Sequence, residues 1–294
     1  MRGSRKIWVG IGAFVIAGAA GAATPAAEAR VSTDRVRAGR EVEADRSPAI
    51  AGSFLVAQHA DHAVQDGEAG EQGGEQGVAT LPPDIAFAVR LGLIRGHLMA
   101  GDELVRRNDW TSALPHVLHP SEEIYDDLKE QLADFKVAPF EKELDAYAAL
   151  VKAKKGGADY TKALAAVMAA LDKAEASLKT THGADWPSFI LESAIEMMKV
   201  AGDEYNAAIE NGRIVNPVEY QDAWGFIHIA DRMIGSVAAE LKKKDDKSFT
   251  QVQIMLADLK KAFPTVTPPD SIIKDPATIF SDVARIELAA GSLK

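Results

Sequence analysis

From Leu81 to the C-terminus, apolar residues recur at intervals of three and four, the spacing of a buried helix face. Prolines stand near several predicted helix starts, where the missing amide hydrogen is not needed. No alternating β-branched segment of useful length appears. The pattern predicts an all-α fold, a long up-down helical bundle. The predicted helices are approximately 82–107, 120–134, 137–154, 159–180, 187–211, 217–243, 247–263 and 276–291.

The two halves of this helical region share three short sequence landmarks in the same order. We therefore predict an internal duplication, with residues 81–182 as one bundle half and 183–294 as the other, forming either two bundles or one. The paired landmarks are 100–103 with 201–204, 119–122 with 216–219, and 154–160 with 243–249.

The N-terminal segment has the pattern of a secretory signal peptide. Arg2, Arg5 and Lys6 precede an apolar run over 7–23, and small residues allow cleavage after Ala22 or Ala29. The run is short for a membrane span, which needs about 20 residues. We therefore predict a signal peptide over 1–29, a periplasmic or secreted protein, and no stable membrane insertion after cleavage.

Residues 30–80 are predicted to form a disordered linker, because they are acidic and Gly-rich with few large apolar side chains. The chain contains no cysteine, so neither disulfides nor cysteine-ligated metals hold it together. Its formal net charge of −10 argues against nucleic-acid binding, which requires neutralisation of phosphates, and is compatible with a cationic partner such as a metal ion.

The residues best suited to bind a metal lie in the segment 96–125. His97, His116 and His119 supply imidazoles and Glu123 a carboxylate, the ligand types that hold metals inside helical bundles. His116 and His119 have the spacing of one helix face, although Pro115 and Pro120 are expected to break the helix around them. An inward His97 is alternatively a hydrogen-bonded core residue.

Two further candidates have stronger structural interpretations. Glu122 follows His119-Pro120 as Glu219 follows Asn216-Pro217, the pattern of a capping box, so Glu122 is either a helix cap or a metal ligand. His228 precedes Asp231 by three residues, and this pair either shares a ligand or forms an ordinary contact on a half-buried helix face.

The segment His119-Pro-Ser-Glu122 fits the pattern His-x-x-Glu, and in this it resembles imelysin-like periplasmic proteins of bacterial iron uptake. Those proteins also have duplicated helical bundles, as predicted for this chain. The resemblance implies binding of a metal or a haem-related ligand.

The sequence carries no phosphate-binding loop, nucleophile elbow or zinc-protease helix, so we predict that the protein is not an enzyme. The leading hypothesis is an exported helical bundle that binds a divalent or ferric metal ion or a small ligand. The alternative is a periplasmic interaction or scaffold protein with a protein partner, in which the histidines are purely structural.

Overall fold

The structure is a computed structural model that describes residues 75–294. The predicted signal peptide and residues 30–74 of the predicted linker lie outside the described residues. Ten α-helices and one short hairpin make up the described part, which confirms the all-α prediction. The elements are α1 (Pro83–Arg106), α2 (Trp110–His119), α3 (Tyr125–Leu132), α4 (Glu141–Lys152), α5 (Ala158–His182), α6 (Trp186–Ala207), β1 (Ile209–Glu210), β2 (Arg213–Ile214), α7 (Pro217–Ser236), α8 (Ala238–Lys244), α9 (Asp246–Leu259) and α10 (Pro276–Ala289).

Helix α1 lies at the centre of the described residues. Its residues are buried on nearly every face from Ile85 to Leu104, as expected for a helix that is apolar all round. It packs against α2, α5, α6 and α7, so its side chains can meet those of both predicted halves. A 3-10 turn over Glu75–Thr80 precedes it and buries Val78, so packed structure begins within the segment predicted as linker.

Residues 183–294 contain α6 to α10, with α6 packed against both α7 and α10. An aromatic cluster of Tyr205, Tyr220 and Phe263 joins α6 and α7 to the turn after α9, and its ring centroids lie 5.0–6.3 Å apart. The Tyr205 hydroxyl also donates to the carbonyl of Lys274 at 2.7 Å, which ties the segment before α10 to α6.

The predicted helix 187–211 ends earlier than the periodicity indicates. Helix α6 stops at Ala207, and β1 and β2 pair antiparallel, Ile209 with Ile214 and Glu210 with Arg213. The two turn residues, Asn211 and Gly212, have φ values of 50° and 74°, as a tight two-residue hairpin requires. The Asn-Gly pair is the sequence signal for this turn. The apolar spacing of the surrounding residues is helical, and it led to the prediction of a helix through to residue 211.

Helix α2 precedes the predicted helix 120–134. Its presence differs from the expectation that Pro115 and Pro120 would break the helix around His116 and His119. Asn108, with φ of 62°, follows α1, and the Asp109 carboxylate accepts a hydrogen bond from the Ser112 amide at 3.1 Å and so caps α2. Pro115 lies inside α2. The chain then continues through a π-helical turn over Pro120–Ile124, in which the Tyr125 amide bonds to the Pro120 carbonyl.

Candidate metal centre

The close crossing of α1 and α7 positions the site. At the crossing, Gly96 of α1 faces Gly225 of α7, and a Cβ atom on Gly225 would overlap the Gly96 carbonyl. A Cβ atom on Gly96 would in turn overlap the ring of Phe226. The two glycines therefore let the helix backbones touch, which brings the next residue of α1, His97, against the side chains of α7.

Helix α2 contributes His116 and His119 to the same place. These residues are three apart, so they share one face of the helix, and both are buried. Their rings lie near that of His97, with centroids 6.5 Å from His97 to His116 and 5.4 Å from His97 to His119. The structure thus brings together the three histidines singled out in the sequence.

Asp222 of α7 lies between the three histidines, and we call these four residues the His–Asp cluster. Its Oδ1 is 2.6 Å from His97 Nδ1 and 2.7 Å from His116 Nδ1, and its Oδ2 is 3.8 Å from His119 Nδ1. The exposed fraction is 8% for His119 and at most 3% for each of the other three. One carboxylate therefore organises three imidazoles away from solvent.

His116 is held at both ring nitrogens. Nδ1 contacts Asp222, and Nε2 lies 2.8 Å from Oε1 of Gln221, the residue before Asp222 on α7. Because both nitrogens are engaged by protein groups, His116 is suited to orient Asp222 rather than to bind a ligand directly. Such an outer contact fixes the direction of a carboxylate that serves as a ligand.

The charge states of the cluster follow from its burial and contacts. Burial alone would raise the pKa of the Asp222 carboxyl, but its electrostatic interactions and hydrogen bonds with His97 and His116 hold this pKa below its usual range. Burial, together with the electrostatic effect of the neighbouring His97, lowers the pKa of His119 to about 4. At neutral pH, Asp222 is therefore ionised and His119 is neutral, the forms that bind metals.

Three members of the cluster, His97, His119 and Asp222, form what we call the triad. Within residues 75–294, they offer ligand atoms that all lie within 4.8 Å of one another. Two ligands that share one ion, each at about 2.1 Å from it, are about 3–3.4 Å apart. The triad distances of 2.6 Å and 3.8 Å to Asp222 bracket this separation. Two imidazoles and one carboxylate also suit first-row transition metals, so the residues fit a metal ion.

The other predicted candidates lie outside the triad. Glu122 is exposed on the π-helical turn, and Glu123 beside it is half-buried. The predicted capping box at Glu122 is not formed, because His119 has helical backbone angles and makes no capping hydrogen bond. In the second half, Asn216 does cap α7, accepting from the Val218 amide at 3.2 Å and donating to Glu219 at 3.2 Å.

His228 is also separate from the cluster, and it does not pair with Asp231 as the spacing allowed. Its Nδ1 donates to the carbonyl of Trp224 at 2.8 Å, and Asp231 instead forms an ion pair with Lys260.

Sequence reasoning missed Asp222, although a signal for it was present. Asp222, Phe226 and Ile229 occupy positions i, i+4 and i+7 of α7, so the carboxylate stands on an apolar stripe of the helix. A charged residue at such a position is expected to be buried with a partner.

The low pKa of His119 predicts a pH-dependent stability of the metal-free protein. Between pH 6.5 and about 4, unfolded chains bind more protons at this residue, so stability is lost as the pH falls through this range. The loss from His119 amounts to about 2 kcal/mol between pH 7 and pH 5.

Urea unfolding at both pH values, compared with His119→Gln, measures this loss. We expect the variant to lose less stability on acidification than the unsubstituted protein. An equal loss in both proteins would contradict the burial effect at His119.

Residues 183–293 match the family described as the iron permease-associated 4-helix bundle domain. The match spans α6 to α10 and includes Asp222, whereas His97 and His119 precede it. This part of the chain is therefore similar to a helical bundle associated with iron uptake, which supports the iron context of the imelysin-like resemblance but not that family in particular. Neither a curated protein nor a solved structure gives a match. None of the helices in residues 75–294 is long and apolar enough to cross a membrane.

Proposed function

We propose that this protein is an exported, non-enzymatic helical bundle that binds one metal ion, divalent or ferric, at His97, His119 and Asp222. The observation that carries the proposal is the convergence of two imidazoles and one ionised carboxylate from α1, α2 and α7 at a single buried point. An ionised carboxylate away from solvent is costly unless it is paired, and a bound cation would pair it further.

Iron is the first candidate for the ion. Two histidines and one carboxylate form a donor set that binds Fe(II) in proteins. The similarity of residues 183–293 to a domain associated with iron permeases supports the same choice.

Burial of the cluster supports binding rather than catalysis. Even His119, the most exposed member, has an exposed fraction of only 8%, so the triad offers no open surface to a substrate larger than an ion. The signal-like pattern of residues 1–29 supports export. An exported protein would capture the ion outside the cytoplasm.

A metal titration with graded variants tests this function. We expect the purified protein to bind one equivalent of Fe(II) under anaerobic conditions, and Zn(II) as a redox-inert probe. His119→Ala should abolish stoichiometric binding because it removes a ligand. His116→Gln should weaken binding by about 10- to 100-fold, because His116 only orients Asp222.

The matched control is His182→Ala. His182 also lies beside an aspartate, with Nε2 3.3 Å from Asp84 Oδ2, but far along the chain from the cluster, at the end of α5. Its removal should leave metal affinity unchanged. If the purified protein binds neither Fe(II) nor Zn(II), the proposed function is refuted. Equal metal binding by the His119→Ala and unsubstituted proteins would also refute it.

A second candidate function is that of an exported protein that binds another protein. In this case the histidines only stabilise the buried core. The observation that favours it is that Asp222 is already paired at hydrogen-bonding distance with His97 and His116. Under this function, the same histidine substitutions lower the free energy of unfolding but change no affinity for Fe(II) or Zn(II), and a pull-down recovers one protein partner.

A further inference from the structure

A cleft between α1, α5 and α7 has a volume of about 440 Å³, which lies in the range of pockets that hold small organic molecules. Apolar side chains from all three helices line much of it: Leu98, Met99, Leu164, Met168 and Ile229. Methionine is flexible, and its sulfur makes favourable contacts with aromatic rings. Two methionines in the wall therefore suit an aromatic ligand.

The charged side chains of the cleft carry both signs, and they are Arg95, Asp102, Glu103, Arg106 and Arg232. Four of them already form ion pairs: Asp102 with Arg106 at 2.8 Å, Glu103 with Arg107 at 2.9 Å, and Arg95 with Asp172 at 2.8 Å. The fifth, Arg232, is exposed, so solvent screens its charge. A charged ligand would meet groups of its own sign and would lose its hydration on entry. The cleft therefore favours an uncharged ligand.

The imidazole of His228 supplies a hydrogen-bond acceptor for such a ligand. Its Nδ1 lies 2.8 Å from the Trp224 carbonyl oxygen, which can only accept, so Nδ1 carries the hydrogen. Burial lowers the pKa of His228, so the ring is neutral and Nε2 keeps its lone pair. Nε2 has no hydrogen-bond partner among the described residues, and unlike Nε1 of Trp224 it retains accessible surface. Because His228 lines the cleft, a ligand there can donate to Nε2.

Contacts with Trp224 hold this imidazole in one orientation. The two ring centroids are 4.6 Å apart with an angle of 34° between the rings, and the hydrogen bond from Nδ1 to the Trp224 carbonyl prevents rotation of the imidazole. A group that is already oriented loses little freedom when a ligand binds. Nε2 is therefore a preorganised acceptor.

We propose that this cleft binds a small uncharged phenol, whose hydroxyl donates to Nε2 of His228 and whose ring packs against Met99 and Met168. The phenol has the one donor that Nε2 can accept from, and its ring is apolar on both faces. It carries no charge at neutral pH, because the pKa of a phenol is about 10.

This cleft is separate from the metal centre. Of the described residues that line it, none belongs to the His–Asp cluster. The proposal therefore does not rest on metal binding. The His119→Ala protein should bind a phenol as tightly as the unsubstituted protein does.

Nuclear magnetic resonance of the protein labelled with ¹³C in its methionine methyl groups tests the proposal. The Met99→Leu and Met168→Leu proteins identify the two signals of the cleft by their disappearance. The phenol para-cresol should shift both signals in a saturable manner and leave that of Met198, which is buried on α6 outside the cleft, unchanged.

Two further probes separate the hydroxyl from the ring and from charge. In para-methylanisole the hydroxyl is methylated, so it cannot donate, and para-toluate carries a negative charge. Each should bind the unsubstituted protein at least about fivefold more weakly than para-cresol does, because the hydrogen bond to Nε2 is lost to each. This comparison needs no substitution, so it does not depend on the folding of a variant.

A pair of histidine substitutions assigns the hydrogen bond to His228. The His228→Leu protein should bind para-cresol and para-methylanisole equally, because the acceptor is gone. The His182→Leu protein should keep the preference for para-cresol, since His182 lies at the end of α5 and outside the cleft. Three results would each overturn the proposal: unchanged Met99 and Met168 signals, binding of either further probe as tight as that of para-cresol, or an unchanged preference in a folded His228→Leu protein.

Discussion

Asp222→Asn is expected to abolish stoichiometric Fe(II) binding, with a loss of affinity of at least about 100-fold. Asp222 is the one carboxylate of the triad, and each of the three histidines of the cluster faces it. Asn keeps the shape of the side chain but removes the negative charge that an ion needs. Since even residues that only orient ligands change metal affinity by about 10- to 100-fold, the loss of a ligand should exceed that range. Calorimetric titration measures it.

The matched control for this substitution lies on the same helix. Asp231→Asn makes the same chemical change in α7, at a half-buried carboxylate that pairs with Lys260 outside the cluster. We expect it to retain Fe(II) affinity. Circular dichroism should show helical spectra for both variants, and full affinity of a folded Asp222→Asn protein would rule out Asp222 as a ligand.

Gly225→Ala is expected to lower the free energy of unfolding by at least about 3 kcal/mol, at the upper end of overpacking effects. The added methyl group would overlap the Gly96 carbonyl, which belongs to the backbone of α1 and cannot rotate away. The helices must therefore separate, and His97 moves away from Asp222. Thermal unfolding should show a decrease in Tm of about 6–12 °C for a protein of this size, together with weakened metal binding.

Gly235→Ala is the control for the helix crossing. Gly235 also lies in α7, but no atom approaches the position of an added Cβ within 4 Å. Alanine is the better helix former by up to about 1 kcal/mol, so this substitution should leave Tm unchanged or raise it. Equal Tm values for the Gly225→Ala and Gly235→Ala proteins would contradict a backbone contact between α1 and α7.

Much of the fold could be predicted from the sequence, because the helices are long and their apolar faces are regular. Helix α1 ends within one residue of the prediction, at Arg106, and α10 begins at the predicted Pro276. The errors occur where local chemistry overrides a general rule. Pro115 was expected to end a helix, but it is accommodated within α2, which is capped by Asp109 and extended by a π-helical turn.

The candidate site could be predicted only in part. His97, His116 and His119 were recognised as a group because they are close in sequence, and the structure brings them together. Asp222 is more than a hundred residues from His116, so no local spacing connects them. The contact depends on the α1–α7 crossing, and the glycines that permit it resemble any other helical glycines in the sequence.

The distinction between ligand and positioning residue also required three-dimensional contacts. His116 and His119 are equivalent by spacing, yet only His116 is held at both nitrogens, by Asp222 and Gln221. Similarly, Glu123 has the chemistry of a ligand, but neither it nor Glu122 belongs to the group whose ligand atoms converge. Sequence spacing determines which residues share a helix face, whereas packing determines what that face meets.

The most direct measurement of metal binding at the triad is X-ray diffraction from crystals of the Fe(II)-loaded protein, with data collected on both sides of the iron absorption edge. The anomalous difference map should contain one strong peak between His97, His119 and Asp222, with His116 in contact with Asp222 but not with the ion. Iron bound elsewhere, with the four side chains of the His–Asp cluster in the positions that they have here, would contradict it.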